Sequence, residues 1–262
     1  MFNKFFKKKS EQSIEIKQDW ASYFTRVDEK PASIRLNLGL NSVAPIEKYE
    51  HRIWFSIQLL DADSNGFTTR EEFPKICQIE DNISEALEKK GAIAAGALKT
   101  NGTFDVYFYT SETIDIAKLA AAVMQNHPDY RYATDTKIDT NWSDYFDFLY
   151  PAEFEYQTIL NQRVLTNLDK EGDNPAIERA VDHWLYFQTA TDRATFITAI
   201  ENIGYKTLSQ EKVTKDNYTF QLNISKVSDV NWNTINDNVW ELITLAKENN
   251  GVYDGWGCPI TK

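Results

Sequence analysis

Apolar and polar residues alternate along several stretches of this chain with the two-residue period of a strand buried on one face only. Over residues 33–40, Ile34, Leu36, Leu38 and Leu40 alternate with Arg35, Asn37 and Gly39. Over residues 51–60, Ile53, Phe55, Ile57 and Leu59 share one side, and a polar loop follows at 61–66. The spacing then changes to helical, with Phe73, Ile76, Ile83 and Leu87 on one stripe and Gly91 past its end. Strands at 92–99 and 103–110 are predicted to form a hairpin about Asn101-Gly102, a dipeptide suited to the positive φ angles of a tight turn. Ser111 or Thr113 can cap a helix running to Met124, Pro128 closes it, and 130–138 reads as a last strand. The segment Asn141-Trp142-Ser143-Asp144-Tyr145-Phe146 echoes Asp19-Trp20-Ala21-Ser22-Tyr23-Phe24, a weak hint of an internal repeat.

A boundary is expected at Tyr150-Pro151, ahead of a helix over 153–168 and a turn over 170–175. Beyond it the pattern gives strand 179–188, helix 192–203, strands 205–213 and 218–226, helix 230–249 and strand 252–260. That order, βαββαβ, predicts a ferredoxin-like sandwich with helices on one face of an antiparallel sheet. The chain is therefore read as α+β. It would have a flexible basic tail at 1–12, an α+β domain at 13–150 and a ferredoxin-like domain at 151–262, each domain an antiparallel sheet with helices on one face.

Composition supports two folded domains. The chain has 262 residues, 42% of them hydrophobic and 13% aromatic, enough apolar surface to offset the entropy of ordering each half. The formal net charge is −11, spread over both halves: 18 basic against 23 acidic residues up to Tyr150, and 10 against 16 after it. A phosphate backbone is bound chiefly through Lys and Arg, so this balance argues against direct nucleic-acid binding. Cys77 and Cys258 are the only cysteines, too few for a disulfide framework, and Cys77 on its helical stripe reads as a small buried thiol. The opening Met1-Phe2-Asn3-Lys4-Phe5-Phe6-Lys7-Lys8-Lys9 could touch an anionic surface, but it supplies one membrane signal where stable anchoring takes two. It also lacks the apolar middle of a signal peptide, and a cytoplasmic location is expected.

One constellation in the second half points to a family. Asn167-Leu168 and Gly172-Asp173 precede Arg179-Ala180-Val181-Asp182-His183-Trp184-Leu185-Tyr186-Phe187, then come Gly204-Tyr205 and Gly251-Val252-Tyr253-Asp254-Gly255-Trp256-Gly257. This half resembles the ribonuclease E inhibitor family, the bacterial regulators of ribonuclease activity B. The first half resembles a domain family of unknown function often fused to that module, through Trp20-x-x-Tyr23, Pro31-Ala32-Ser33, Gly66, Ile79-Glu80-Asp81, Tyr107-x-Tyr109 and Trp142-x-x-Tyr145. The first resemblance implies a non-catalytic protein that binds an endonuclease of RNA decay and lowers its activity, with no cofactor; the second implies no activity.

Competing chemistry is confined to a few motifs. Asp61, Asp63, Asn65, Gly66 and Glu72 have the spacing of an EF-hand calcium loop. The β-patterned approach at 51–60 does not supply the entering helix, however, and Thr69 with Glu72 fits a reciprocal capping box at a helix start. A calcium-binding protein and an unrecognised hydrolase are the alternatives to a binding module. His51, His127 and His183 have no metal-ligand spacing, and His183 shares a strand face with Val181, Leu185 and Phe187, which suits a buried, hydrogen-bonded imidazole better than a catalytic base. No nucleophile elbow, phosphate loop or dinucleotide fingerprint is present. Strand alternation sets Asp182, Trp184 and Tyr186 on the opposite face, and an antiparallel last strand would bring Asp254 and Trp256 beside them. Those five residues form the expected partner-binding platform, for a protein in preference to stacked RNA bases.

Overall fold

The computed structural model describes residues 15–214 and 217–262; the tail expected at 1–12 lies outside them. The chain divides into two compact units, Met1–Glu155 and Tyr156–Lys262.

The N-terminal unit is a six-stranded antiparallel sheet. Its strands are β1 (Trp20–Val27), β2 (Lys30–Asn37), β3 (His51–Gln58), β4 (Ile93–Thr100), β5 (Thr103–Thr110) and β6 (Tyr132–Ile138), in the order β1-β2-β4-β5-β3-β6. Helices α1 (Phe73–Glu88) and α2 (Ile116–Met124) cover one face, burying Ile53, Phe55 and Ile57 of β3 with Val106 and Phe108 of β5 against Ile76, Ile79 and Ile83. The β4–β5 hairpin turns at Asn101 (φ 47°) and Gly102 (φ 79°), the left-handed pair its dipeptide suggests.

Several boundaries move for identifiable reasons. The strand expected over 33–40 stops at Asn37, because the Asn37 side chain accepts from the amide of Gly39 and turns the chain into a short 3-10 segment at Leu38–Ser42. Leu38 and Leu40 stay buried, which is why their spacing mimicked a strand. Helix α2 is capped by Asp115, whose carboxylate accepts from the Lys118 amide at 3.0 Å, not by Ser111 or Thr113. Cys77 is half-buried rather than enclosed.

The two Trp-x-x-Tyr segments differ in structure: Trp20 and Tyr23 lie on β1, whereas Trp142 and Tyr145 belong to a turn and a π-helical segment at Asp144–Leu149. Trp142 stacks on Tyr109 with ring centroids 3.8 Å apart, on the face of β5 away from α1.

The C-terminal unit comprises α3 (Glu153–Lys170, of which residues from 156 belong to it), β7 (Arg179–Phe187), α4 (Ala190–Glu201), β8 (Lys206–Lys212), β9 (Phe220–Ser228), α5 (Trp232–Glu248) and β10 (Gly251–Gly257). The connectivity from β7 onward is βαββαβ, and the sheet is antiparallel in the order β10-β7-β9-β8, with first and last strands adjacent. Leu185 and Phe187 pack with Phe196 and Ile200 of α4 and Leu242 and Ala246 of α5. Val181 packs with Ile235 and Val239 of α5 and with Val164 and Leu168 of α3.

Candidate partner-binding face

Strict alternation along β7 separates two chemistries. Val181, His183, Leu185 and Phe187 are buried on the helix-covered side, while Asp182, Trp184 and Tyr186 are half-buried on the other. The strand beside it continues this polar and aromatic face. Asn223 and Ser225 of β9 donate to the β7 carbonyls of His183 and Val181 at 3.1 and 3.3 Å, and Gln221 Nε2 donates to the Tyr186 hydroxyl at 3.0 Å. On the opposite flank the Trp184 ring reaches across β10, with its edge 3.7 Å from where a side chain on Gly257 would begin. The result is a wide aromatic surface braced by short polar side chains.

The structure breaks the expected five-residue platform at β10. A bulge at Asp254 shifts the register: Tyr253 pairs with Leu185, but Gly255 pairs with Trp184 and Trp256 with His183. A one-residue slip sends every following side chain to the other face. Trp256 is therefore buried beneath α3 and α5, 7% exposed, beside Val181 and Val239. Asp254 sits exposed at the bulge, at the edge of the face that carries Asp182, Trp184 and Tyr186.

Trp256 instead joins a buried amide network. Its indole N–H donates to Oδ1 of Asn161 at 3.0 Å, which also accepts from Gln157, and Asn161 Nδ2 donates to Oδ1 of Asn236 at 2.9 Å. Asn236 in turn donates to the Trp232 carbonyl at 2.7 Å. These residues were missed in the sequence, where the available signal was polar Gln157 and Asn161 one turn apart on a helix whose next turns carry Val164, Leu165 and Leu168. A second anchor joins Asp173 to Arg179, and Asp173 also accepts from the Thr261 amide at 2.6 Å. Burial alone would raise the Asp173 carboxyl, but the Thr261 amide and Arg179 outweigh it and hold it below the ordinary range.

His183 is 1% exposed, and its Nδ1 lies 2.9 Å from the Tyr253 hydroxyl. Burial, helped by the positive charge of Lys226, pushes its pKa down to about 3, so the imidazole is neutral and sealed from solvent at neutral pH. Such a group organises a core; a base must reach a substrate.

The Asp61–Glu72 segment also has a structural use for its carboxylates. Glu72 is buried, and its two oxygens accept from the amides of Leu60 and Asp61 at 2.7 and 3.1 Å. This replaces the reciprocal half of the expected capping box: Thr69 Oγ1 accepts from the Glu72 amide, but the Glu72 carboxylate does not return to Thr69. Asp63 accepts from Asn65 and Phe67, and Asp61 from the Thr69 hydroxyl. Gly66, at φ 82°, presses on the Asn101-Gly102 turn so closely that a Cβ would meet backbone at 2.8 Å. The loop thus braces the hairpin. Among the described residues no three His, Cys, Asp or Glu side chains are gathered as a metal ion would require.

No described helix is long and apolar enough to cross a membrane. No curated protein sequence matches the chain. Two solved structures show a weak likeness. One, described as an unknown protein from Galdieria sulphuraria, is 10% identical, with 80% of this chain and 99% of that one covered at a TM-score of 0.23. The other, a putative glycine cleavage system transcriptional repressor, is 10% identical, with 81% and 98% covered at the same TM-score. Residues 18–150 match the family described as "Family of unknown function (DUF695)", and residues 158–258 match "Regulator of ribonuclease activity B". The chain accordingly belongs to the DUF695 family, and residues 158–258 of its C-terminal half are similar to the regulators of ribonuclease activity B.

Proposed function

We propose that the C-terminal unit binds an RNA-processing endonuclease of the ribonuclease E type and lowers its activity without performing chemistry of its own. The observation that carries this reading is the match of residues 158–258 to a family of ribonuclease regulators. The contact surface is the helix-free face of Asp182, Trp184 and Tyr186, with Asp254 at its edge. Aromatic side chains with few rotatable bonds are the residues that most often dominate protein interfaces. The carboxylates beside them suit a basic protein surface and repel phosphates, so the partner is the enzyme and not its RNA. The protein acts in the cytoplasm, needs no cofactor and forms no stable membrane attachment.

Calorimetric titration of the chain into the purified endonuclease tests the reading. Saturable binding at a fixed stoichiometry is expected. Absence of heat, together with separate migration of the two proteins on gel filtration, contradicts it.

A further inference from the structure

We infer that the N-terminal unit binds a small organic anion in a pocket between α1 and the β1–β2 edge of its sheet, with Lys99 receiving the charged group. Helix α1 covers the centre of the sheet, and strands β1 and β2 extend past it. The register places Ser22 beside Arg35, and Ser33 beside Lys99, on the same side as α1. Phe73, Cys77 and Glu80, one edge of α1, form the wall above that floor, and a pocket of ≈ 210 Å³ lies between them.

The charges in this pocket are unevenly satisfied. Glu80 is taken by Arg35, with which it forms an ion pair from α1 to β2, and Arg35 also lies 5.6 Å from the ring centre of Trp20. Lys99 has no carboxylate within 4.0 Å among the described residues; its Nζ lies over the rings of Phe73 and Phe104, 4.5 and 5.3 Å from their centres. Burial pushes the Cys77 thiol up, so it stays protonated and supplies no counter-charge. Burial likewise pushes the Lys99 amine down. The Glu80 carboxylate, already paired with Arg35, offsets the burial of this half-buried ammonium only in part, and the remaining electrostatic deficit is what an incoming anion removes. Ser22 and Ser33 add hydroxyl donors at the same floor, and Phe73, Phe104 and Ala97 offer an apolar wall. A cation, two hydroxyls and an apolar wall in a pocket of this size fit a carboxylate or phosphate carried on a short planar or apolar body. In a chain of net charge −11 the site is a local exception. It goes beyond the proposed regulatory role, because it lies in the half to which no activity is attached.

The test is calorimetry on the whole chain with benzoate, phenyl phosphate and neutral benzamide. At least one anion is expected to saturate and to bind about tenfold or more tighter than benzamide, with Lys99→Met removing that advantage and Lys118→Met, on the exposed side of α2, leaving it intact. Whichever anion wins identifies the head group. A second readout needs no variant: the bound anion slows alkylation of Cys77 and leaves Cys258 unchanged. Failure of both anions to saturate by about 10 mM, equal binding of benzamide, unchanged affinity in a folded Lys99→Met chain, or no protection of Cys77 overturns the inference.

Discussion

The indole N–H of Trp256 donates to Oδ1 of Asn161 at 3.0 Å, so the last strand of the C-terminal unit is fastened to its leading helix by a buried hydrogen bond. Asn161 is 1% exposed and holds Asn236 with its amide nitrogen, leaving the cluster fully paired. Replacing Asn161 with Leu orphans the indole N–H and the Asn236 oxygen together. A loss of ~2–4 kcal/mol is expected in urea unfolding of the C-terminal unit, as for two buried polar groups deprived of partners. A change below ~0.5 kcal/mol would show that the network is dispensable.

Trp184 and Trp256 should behave in opposite ways although they lie on adjacent strands. Trp256→Ala empties a core position and is expected to cost ~3–5 kcal/mol of stability. Trp184→Ala is expected to leave folding within ~1 kcal/mol and to weaken capture of the endonuclease by ~2 kcal/mol or more. Circular dichroism and a binding titration on each variant separate the two. Unchanged capture by folded Trp184→Ala would remove this face from the interface.

His183 gives the C-terminal unit an acid sensitivity. Its folded pKa of about 3 lies below the ~6.5 of an unfolded histidine, so the folded state binds fewer protons in between. The stability gained by keeping the imidazole neutral is complete above pH ~6.5 and is lost as the pH falls toward the folded value, at up to ~1.4 kcal/mol per pH unit. Urea midpoints at pH 7 and pH 5 are expected to differ more in the parent chain than in a folded His183→Gln variant. Equal slopes would place the acid response elsewhere.

Glu72 is expected to act as a structural carboxylate. Glu72→Ala leaves the Leu60 and Asp61 amides without their acceptor, and a loss of ~2–3 kcal/mol is expected. Calcium is expected to give no tight binding isotherm. A dissociation constant below ~10 µM, the range of calcium sensors, would show that the loop opens and coordinates after all.

Much of this architecture was legible because local rules and tertiary packing agree. Asn101-Gly102 sets a turn through its own backbone preferences, and β7 alternates because one face meets α4 and α5. The exceptions share a different cause. Leu38 and Leu40 are buried without being in a strand, since Asn37 bends the chain through a side-chain bond that apolar spacing does not report. Trp256 changes faces because Asp254 bulges, and the neighbouring glycine was the sole trace of that in the sequence. Lys99 interrupts an apolar run after Leu98, yet its neighbours Arg35 and Glu80 come from β2 and α1. That pocket exists only once long-range pairing has formed.

The most direct measurement of the central claim is the cleavage rate of a short single-stranded RNA by a purified ribonuclease E-type endonuclease, titrated with this chain. The account predicts a saturable fall in rate that tracks binding, with no cleavage by the chain alone and with the effect weakened in Trp184→Ala. An endonuclease whose rate stays unchanged at saturating chain, or RNA cleavage by the chain without the enzyme, would contradict it.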